Sequence, residues 1–369
     1  MDTVSFDKPP RFSTTNGLVV SFQAAEQRVQ NLVCDQSANV SYEFTAQQFI
    51  FNVRDYMQVF GKSAVAQLGT KVESNIAELA ETNTFRFFGD AVTPINTYLQ
   101  LANALAFFRN FGAAPENTKG YLSDLTFPGI VNSGLNQFAL DRNNKQAMSW
   151  EVGRFSNCDW YQSNLLKTHA AGSNGVAGST LTVVSTTLDA NGAVVAITFS
   201  GASAASDPNS VKAYDKFQFN DGVGALTNLR FRTFIGQIVS QSPVQFAATA
   251  DAASTAGSLV TVSINPPLQV NAGNNQNINT PIVAGMQVSV LPDHRCGLIM
   301  SGNPLYLAMP RLPDEDPYKT AVAMDPDSGA SIRQYYGSLF GQNQRGMVHD
   351  VLWGKTLVDE YAMMVALPI

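Results

Sequence analysis

From Thr233 to Leu291 the chain carries one charged side chain, Asp251. A stretch this long with so little charge cannot present a well-solvated helix or loop surface, so it must cover its apolar positions against itself or against a neighbour. The deficit is regional: residues 171–290 hold nine charged side chains in 120 positions and no Glu. It also depresses the whole chain, where Asp, Glu, Lys and Arg reach 14%, against about 25% in ordinary soluble domains.

The same region has a period of two. Leu181 to Leu188 and Ala193 to Phe199 flank Asp189-Ala190-Asn191-Gly192, an Asn-Gly turn of the type that closes hairpins. Tyr214–Phe219, Arg230–Ile235, Leu259–Ile264 and Met286–Val290 read as further strands between Gly, Asn and Ser clusters. From Ser179 onward the spacing therefore predicts a β-rich insert of roughly 110 residues, entered through a linker at Ala171-Gly172-Ser173-Asn174-Gly175.

Before the insert the period is helical. Met57, Phe60, Ala64, Leu68, Val72, Ile76 and Leu79 recur at three- and four-residue steps, which predicts a helix from Arg54 to Glu81 about 40 Å long. Gly61 and Gly69 either weaken it or permit close packing. A second helix is predicted with Thr93 as N-cap, Pro94 at its first position and Gly112 at its stop. Ile95, Leu99, Leu101, Leu105, Phe108 and Phe111 make it apolar nearly all round, hence buried. Lys119–Ser123 reads as a strand, and Pro128 opens a third helix through Phe138. In the first forty residues Pro9 and Pro10 bar a helix, and Leu18-Val19-Val20 and Leu32-Val33 suggest short strands. Ile332–Phe340 and Met347–Trp353 predict a closing antiparallel pair.

Chemistry is sparse. Gly61-Lys62-Ser63 and Gly354-Lys355-Thr356 lack the upstream glycine of a phosphate loop, having Tyr56 and His349 in its place. His169, His294 and His349 have no second ligand at metal spacing, and read as surface or hydrogen-bonded structural residues. Cys34, Cys158 and Cys296 form no C-x-x-C pair and read as buried thiols. Ala171 spoils a nucleophile elbow at Ser173. Asp314-Glu315-Asp316 and Asp325-Pro326-Asp327 read as solvated loops, and Arg230-Phe231-Arg232 as a surface strand too short to stack bases. The net charge of −6 argues against a dedicated nucleic-acid binder. The N-terminus has no apolar core of a signal sequence, and no eighteen-residue apolar run suggests a membrane span.

Several stretches together resemble one family. They are Asp2-Thr3-Val4 and Lys8-Pro9-Pro10-Arg11-Phe12; Val40-Ser41-Tyr42-Glu43-Phe44-Thr45 ahead of the long helix; Gly153-Arg154-Phe155 through Asp159-Trp160-Tyr161-Gln162-Ser163-Asn164 to His169 and Gly172; and Tyr214-Asp215-Lys216-Phe217-Gln218-Phe219. Near the end they are His294-Arg295, Ser328-Gly329-Ala330-Ser331-Ile332-Arg333 and His349-Asp350-Val351-Leu352-Trp353-Gly354. In this order they resemble the major capsid proteins of tailed bacteriophages with the Hong-Kong-97-type fold, in the subgroup of the phage P-twenty-two coat protein.

The resemblance implies an α+β capsid fold with an inserted β-rich domain. Its parts would be an extended loop at 1–44, a peripheral domain with the spine helix at 45–90, and an axial domain at 91–172 and 291–331. The insert would occupy 173–290, and closing strands 332–369. Such coats carry an N-terminal arm before the extended loop, and Met1 stands where that arm would already have ended. The implied function is self-assembly into hexamers and pentamers of an icosahedral head enclosing double-stranded DNA, itself contacted weakly. Scaffolding protein, portal and a decoration protein are the implied partners, in the virion and, during assembly, the host cytoplasm. No catalytic residue, metal, cofactor or membrane is implied. Phe107, Phe108, Tyr335, Tyr336 and Trp353 are candidates for subunit interfaces or for the core. Two other readings stay open: an adhesive protein whose low-charge β domain binds a surface ligand, and an enzyme built on Asp314–Asp316.

Overall fold

The computed structural model describes residues 3–8, 10–12, 18, 22, 27–45, 60–112, 117–134, 153–220, 229–234, 236–271, 273–314, 318–324, 329–338 and 344–369. They fall into two compact units, one from 1–8, 29–77 and 305–357, the other from 9–28, 78–304 and 358–369.

The first unit is a helix on an antiparallel sheet. Helix α1, Lys62–Thr82, contributes most of its length here. Its buried face is Ala64, Leu68 and Val72, the predicted stripe, but Phe60 is 49% exposed, and 54–59 lie outside the described residues. Gly61 and Gly69 are not packing devices, since a methyl group at either would meet open space. The fourteen-residue strand Gln344–Leu357 organises the sheet: Gln36–Thr45 pairs along ten of its positions, and Ser331–Ser338 along six. Lys319–Met324 and Leu305–Ala308 extend it. Leu68 and Val72 pack on Val351 and Trp353, which makes Trp353 a core residue. The predicted closing pair thus exists inside a larger sheet. Of the predicted early strands, Leu32 lies in Arg28–Val33, while Leu18 is fully exposed and outside any strand.

The second unit holds a seven-stranded sheet. Its order is Phe87–Phe88, Ala362–Leu367, His294–Met300, Thr118–Ser123, Cys158–Ser163, Gly153–Phe155, with Thr168–His169 pairing His294–Met300. Only two pairings are parallel, Phe87–Phe88 with Ala362–Leu367 and Thr118–Ser123 with Cys158–Ser163. The class is therefore α+β. Helices α2, Tyr98–Arg109, and α3, Phe127–Gly134, bury Leu101, Leu105, Phe108, Phe127 and Ile130 against Trp160, Ile299 and Met363. Residues 135–138 of the predicted third helix are outside the described set.

Helix α2 starts four residues later than its sequence suggested. The N-cap is Thr97, whose hydroxyl accepts from Gln100 N while the Gln100 side chain returns to Thr97 N, a complete capping box. Thr93 is instead held in a turn by Asp90, which accepts from Val92 N and Thr93 N. The helix is also not buried all round: Leu99 is 70% exposed. At Gly120 an added methyl would lie 2.4 Å from the Trp160 ring, so the sheet's contact with that indole requires glycine.

The insert is a closed antiparallel barrel of six strands, in the order Val194–Ser200, Leu259–Leu268, Gln245–Ala248, Lys216–Phe219, Gln287–Val290, Thr180–Leu188. Closure removes free sheet edges. The Asn-Gly turn forms as expected: Gly192 has φ 78°, and the Asp189 carboxylate accepts from Asn191 N and Ala193 N. Phe199, Phe217 and Phe246 stack with planes within 3° of parallel and fill the interior with Leu181, Val262, Ile264 and Val288. In the charge-poor stretch the apolar side chains face inward, and among its described large ones only Ile238, Val239 and Val283 stand exposed. Gln245–Ala248 and Val239–Pro243 were not legible as strands, the former because all four positions are buried and nothing alternates. Arg230–Arg232 is half a surface strand at most, since Phe231 is 3% exposed.

Candidate functional site

The barrel has few charges, and two of them, Asp215 and Lys216, are fully buried. They sit where the chain begins the strand Lys216–Phe219, whose Phe217 and Phe219 face the barrel interior. Alternation turns Lys216 outward, and its ammonium donates to the carbonyls of Glu81, at 2.7 Å, and Thr84. These carbonyls belong to the last turn of α1 and the residues after it, where a helix presents unpaired acceptors and a cation is favoured.

His169 completes the arrangement. Its Nδ1 donates to Glu81 Oε1 at 2.6 Å and its Nε2 to Asp215 Oδ1 at 2.8 Å. A carboxylate only accepts, so two such bonds require the imidazolium. Burial opposes that charge, but the bonds to Asp215 and Glu81 prevail and raise the pKa to about 8. Asp215 also accepts from Gly172 N and Lys212 N. Burial lowers Lys216 to about 8, against the opposing pull of Cys296, Glu81 and Asp215. Two cations and two carboxylates thus neutralise one another out of water, an arrangement whose single deletions are far more damaging than its net worth suggests.

His294 lies beside this quartet, its ring 5.2 Å from that of His169 and paired with it across the strands. Burial holds His294 at about 4, helped by the neighbouring His169 and Lys216 charges and opposed by its bond to the Pro292 carbonyl at 2.8 Å. It is therefore neutral when His169 is charged. Cys296, on the same strand, is pushed up to about 12 by burial, which leaves an unreactive thiol.

Two further contacts fasten the barrel. Gln245 sets its side-chain oxygen on Phe87 N at 3.0 Å and donates to Phe87 O at 2.9 Å, reproducing a strand pairing with the end of the sheet. At Gly172 an added methyl would meet Ser210 O, Val211 Cα and Asn209 O, all within 2.9 Å. The predicted linker is consequently a packed joint: Asn174 is fully buried and donates to Ser210.

Of the three histidines, none is on the surface. His169 and His294 come together, while His349 is buried in the other unit with Tyr42 Oη 3.0 Å from its Nε2, its pKa lowered by burial. Cys158 and Cys296 are buried, and Cys34 only partly. Asp314 is exposed; 315–317 and 325–328 lie outside the described residues. Among the described residues no group of three or more His, Cys, Asp or Glu side chains is arranged to hold a metal ion, and no helix is long and apolar enough to cross a membrane. Glu81, Asp215, Lys216 and Gln245 were missed. For Asp215 and Lys216 the one visible sign was rarity, since charge inside a charge-poor alternating segment is expected to have a specific partner; Glu81 and Gln245 gave none.

No family model and no curated protein matches the sequence. By structure the chain is similar to a chain of Mycobacterium phage Che8, with 8% identity and a TM-score of 0.48 over 99% of this chain and 84% of that one. It is also similar to chains in the capsid structure of the cyanophage P-SCSP1u (11% identity, TM-score 0.45, 99% and 83% covered). A third likeness is to the asymmetric unit of the mature capsid of bacteriophage PhiM1 (8% identity, TM-score 0.44, 99% and 82% covered).

Proposed function

We propose that this chain is a structural coat subunit of a tailed-phage head, with the Hong-Kong-97-type fold, and that it works by self-assembly rather than by catalysis. The observation that carries the reading is the order in which the chain builds its parts. Extended strands come first, then the long helix α1, then half of a sheet. A barrel follows as an insertion, and the chain then returns to complete the same sheet with His294–Met300 and Ala362–Leu367. This is the order that the sequence resemblance implies; in this reading the chain divides into an extended loop at 1–44, a peripheral domain at 45–90, an axial domain split into 91–172 and 291–331, an insert at 173–290 and closing strands at 332–369.

In such a shell, repeated heterologous contacts between copies close into hexamers and pentamers around double-stranded DNA. The buried quartet has a mechanical role in this reading: it keeps the inserted barrel rigid on the sheet while neighbouring copies bear on it. Neither an open nucleophile nor an accessible thiol is needed. Scaffolding protein, portal and a decoration protein are the partners this role calls for.

The test is negative-stain imaging of the purified full chain, alone and with its scaffolding protein. Closed shells are expected. A monodisperse monomer at every concentration and with scaffolding protein present would overturn the reading, and carbohydrate binding by that monomer would favour an adhesin.

A further inference from the structure

His169 links two elements far apart in sequence. Its Nδ1 donates to Glu81 at the end of α1, at 2.6 Å, and its Nε2 to Asp215 just before the strand Lys216–Phe219, at 2.8 Å. Both partners are carboxylates, so both bonds exist together only while each ring nitrogen carries a proton. Removing one proton leaves the ring with one donor and one lone pair. One of the two carboxylates must then face that lone pair.

The two are not equivalent. Asp215 is fully buried and keeps two donors besides the ring, Lys212 N at 2.8 Å and Gly172 N at 3.2 Å, both on Oδ2. Among the described residues the Glu81 carboxylate has no donor other than His169, and its side chain, 11% exposed, borders solvent. A carboxylate sealed from water must keep its donors, whereas one at the rim exchanges a lost bond for water. The remaining ring proton therefore stays on Nε2, and the bond given up is the one to Glu81.

The other ionisable groups around the ring leave that choice in place. His294, on the strand paired with that of His169, is held neutral by burial, and Cys296 beside it remains a thiol. Burial brings Lys216 to about 8, the same range as the ring. Its nitrogen, however, bonds the backbone carbonyls of Glu81 and Thr84 and neither carboxylate, and a neutral amine still has two N–H groups for two carbonyls. Lys167, just before the Thr168–His169 strand, is paired with Glu78 at 3.7 Å, one helical turn ahead of Glu81.

We propose that His169 is a proton-operated latch between the end of α1 and the barrel: protonated, it ties Glu81 to Asp215, and deprotonated, it stays with Asp215 and releases Glu81. The last turn of α1 then loosens while the barrel remains seated by Lys216 and by the bonds of Gln245 to Phe87. The change falls near pH 8, to which its two bonds raise the ring. The latch does not depend on the coat reading.

The test is amide hydrogen exchange of the full chain from about pH 6.5 to about pH 9, corrected for the intrinsic exchange rate. Protection of residues 79–84 is expected to fall about tenfold, the loss of one charge-assisted bond, while that of Lys216–Phe219 and Gln245–Ala248 holds. Glu81→Gln should abolish the fall, because a carboxamide accepts from the charged ring and, turned over, donates to the neutral one. Nitrogen NMR of the His169 ring should find the remaining proton on Nε2 above the transition. Protection of 79–84 that stays level across the range, or that is lost together with the barrel strands, overturns the proposal. So does a fall unchanged in Glu81→Gln, or a neutral ring protonated on Nδ1. If Glu81→Gln fails to fold, the wild-type exchange profile and the ring tautomer decide.

Discussion

In the unit built on α1, the helix charges Lys62, Lys71 and Glu73 are exposed. At the foot of the barrel, Asp215 and Lys216 have no exposure and Glu81 and His169 very little. Both regions bury a substantial core, yet they use charge for different ends. On α1 it solvates a surface; beside the barrel it is a connector, affordable only because each ion has a partner within hydrogen-bond reach. The low charge of the chain therefore has a structural meaning. The barrel's outer positions are filled by residues such as Thr198 and Thr261, which bond to each other at 2.9 Å, and its two fully buried ions, Asp215 and Lys216, serve the joint.

The sharpest way to break this contrast is His169→Ala. It leaves Glu81 and Asp215 facing each other without their cation, and the loss should be about 3–5 kcal/mol in chemical denaturation of the second unit. Lys62→Ala, on the exposed side of the comparison, should change stability by no more than about 0.5 kcal/mol. Equal effects would remove the distinction.

Protonation offers a graded version. The pKa of His169 is raised to about 8, so its contribution is complete below 6.5 and lost as pH climbs through 8. His294 is lowered to about 4, so stability also falls as pH drops from 6.5 toward 4, where the unfolded chain takes up a proton first. Between pH 4 and 8 they place the optimum near pH 6.5, with each limb worth on the order of 2–3 kcal/mol, while Lys216, lowered to about 8, returns stability as pH rises above 8. His169→Gln should flatten the alkaline limb and leave the acid limb in place; urea midpoints across pH 4–9 would read both.

Gly120→Ala should cost about 1–3 kcal/mol, because the buried Trp160 ring has no easy retreat. Gly69→Ala should act oppositely. With nothing near the added methyl, it should stabilise α1 by up to about 1 kcal/mol, seen as a higher thermal midpoint.

Local patterns were legible and distant partnerships were not. The Asn191-Gly192 hairpin, the α1 stripe at Ala64, Leu68 and Val72, and the inward-facing character of Thr233–Leu291 follow from neighbours a few residues apart. Thr93 was a sound N-cap by composition, but Asp90 captures its amide, and Thr97 with Gln100 offers the stronger box. Gln245–Ala248 gave no period because both its faces are covered. Glu81, His169, Asp215 and His294 are spread across more than two hundred positions, and no spacing rule joins them. Only the topology of a sheet interrupted by a barrel brings Glu81 and Asp215 within 3 Å of His169 and the His294 ring to 5.2 Å from the His169 ring.

The pairing of His169 with His294 has one more consequence. Since the strands on either side of the insert lie in register, residues 170–293 are, to the sheet, a hairpin loop of great length. Closing a loop of that size instead of a four-residue turn costs about 3 kcal/mol of chain entropy, a modest sum against a barrel that fills its own interior. The position is thus an attachment point where one self-sufficient module could be exchanged for another so long as its two ends emerge side by side and it again supplies partners for His169 and Glu81.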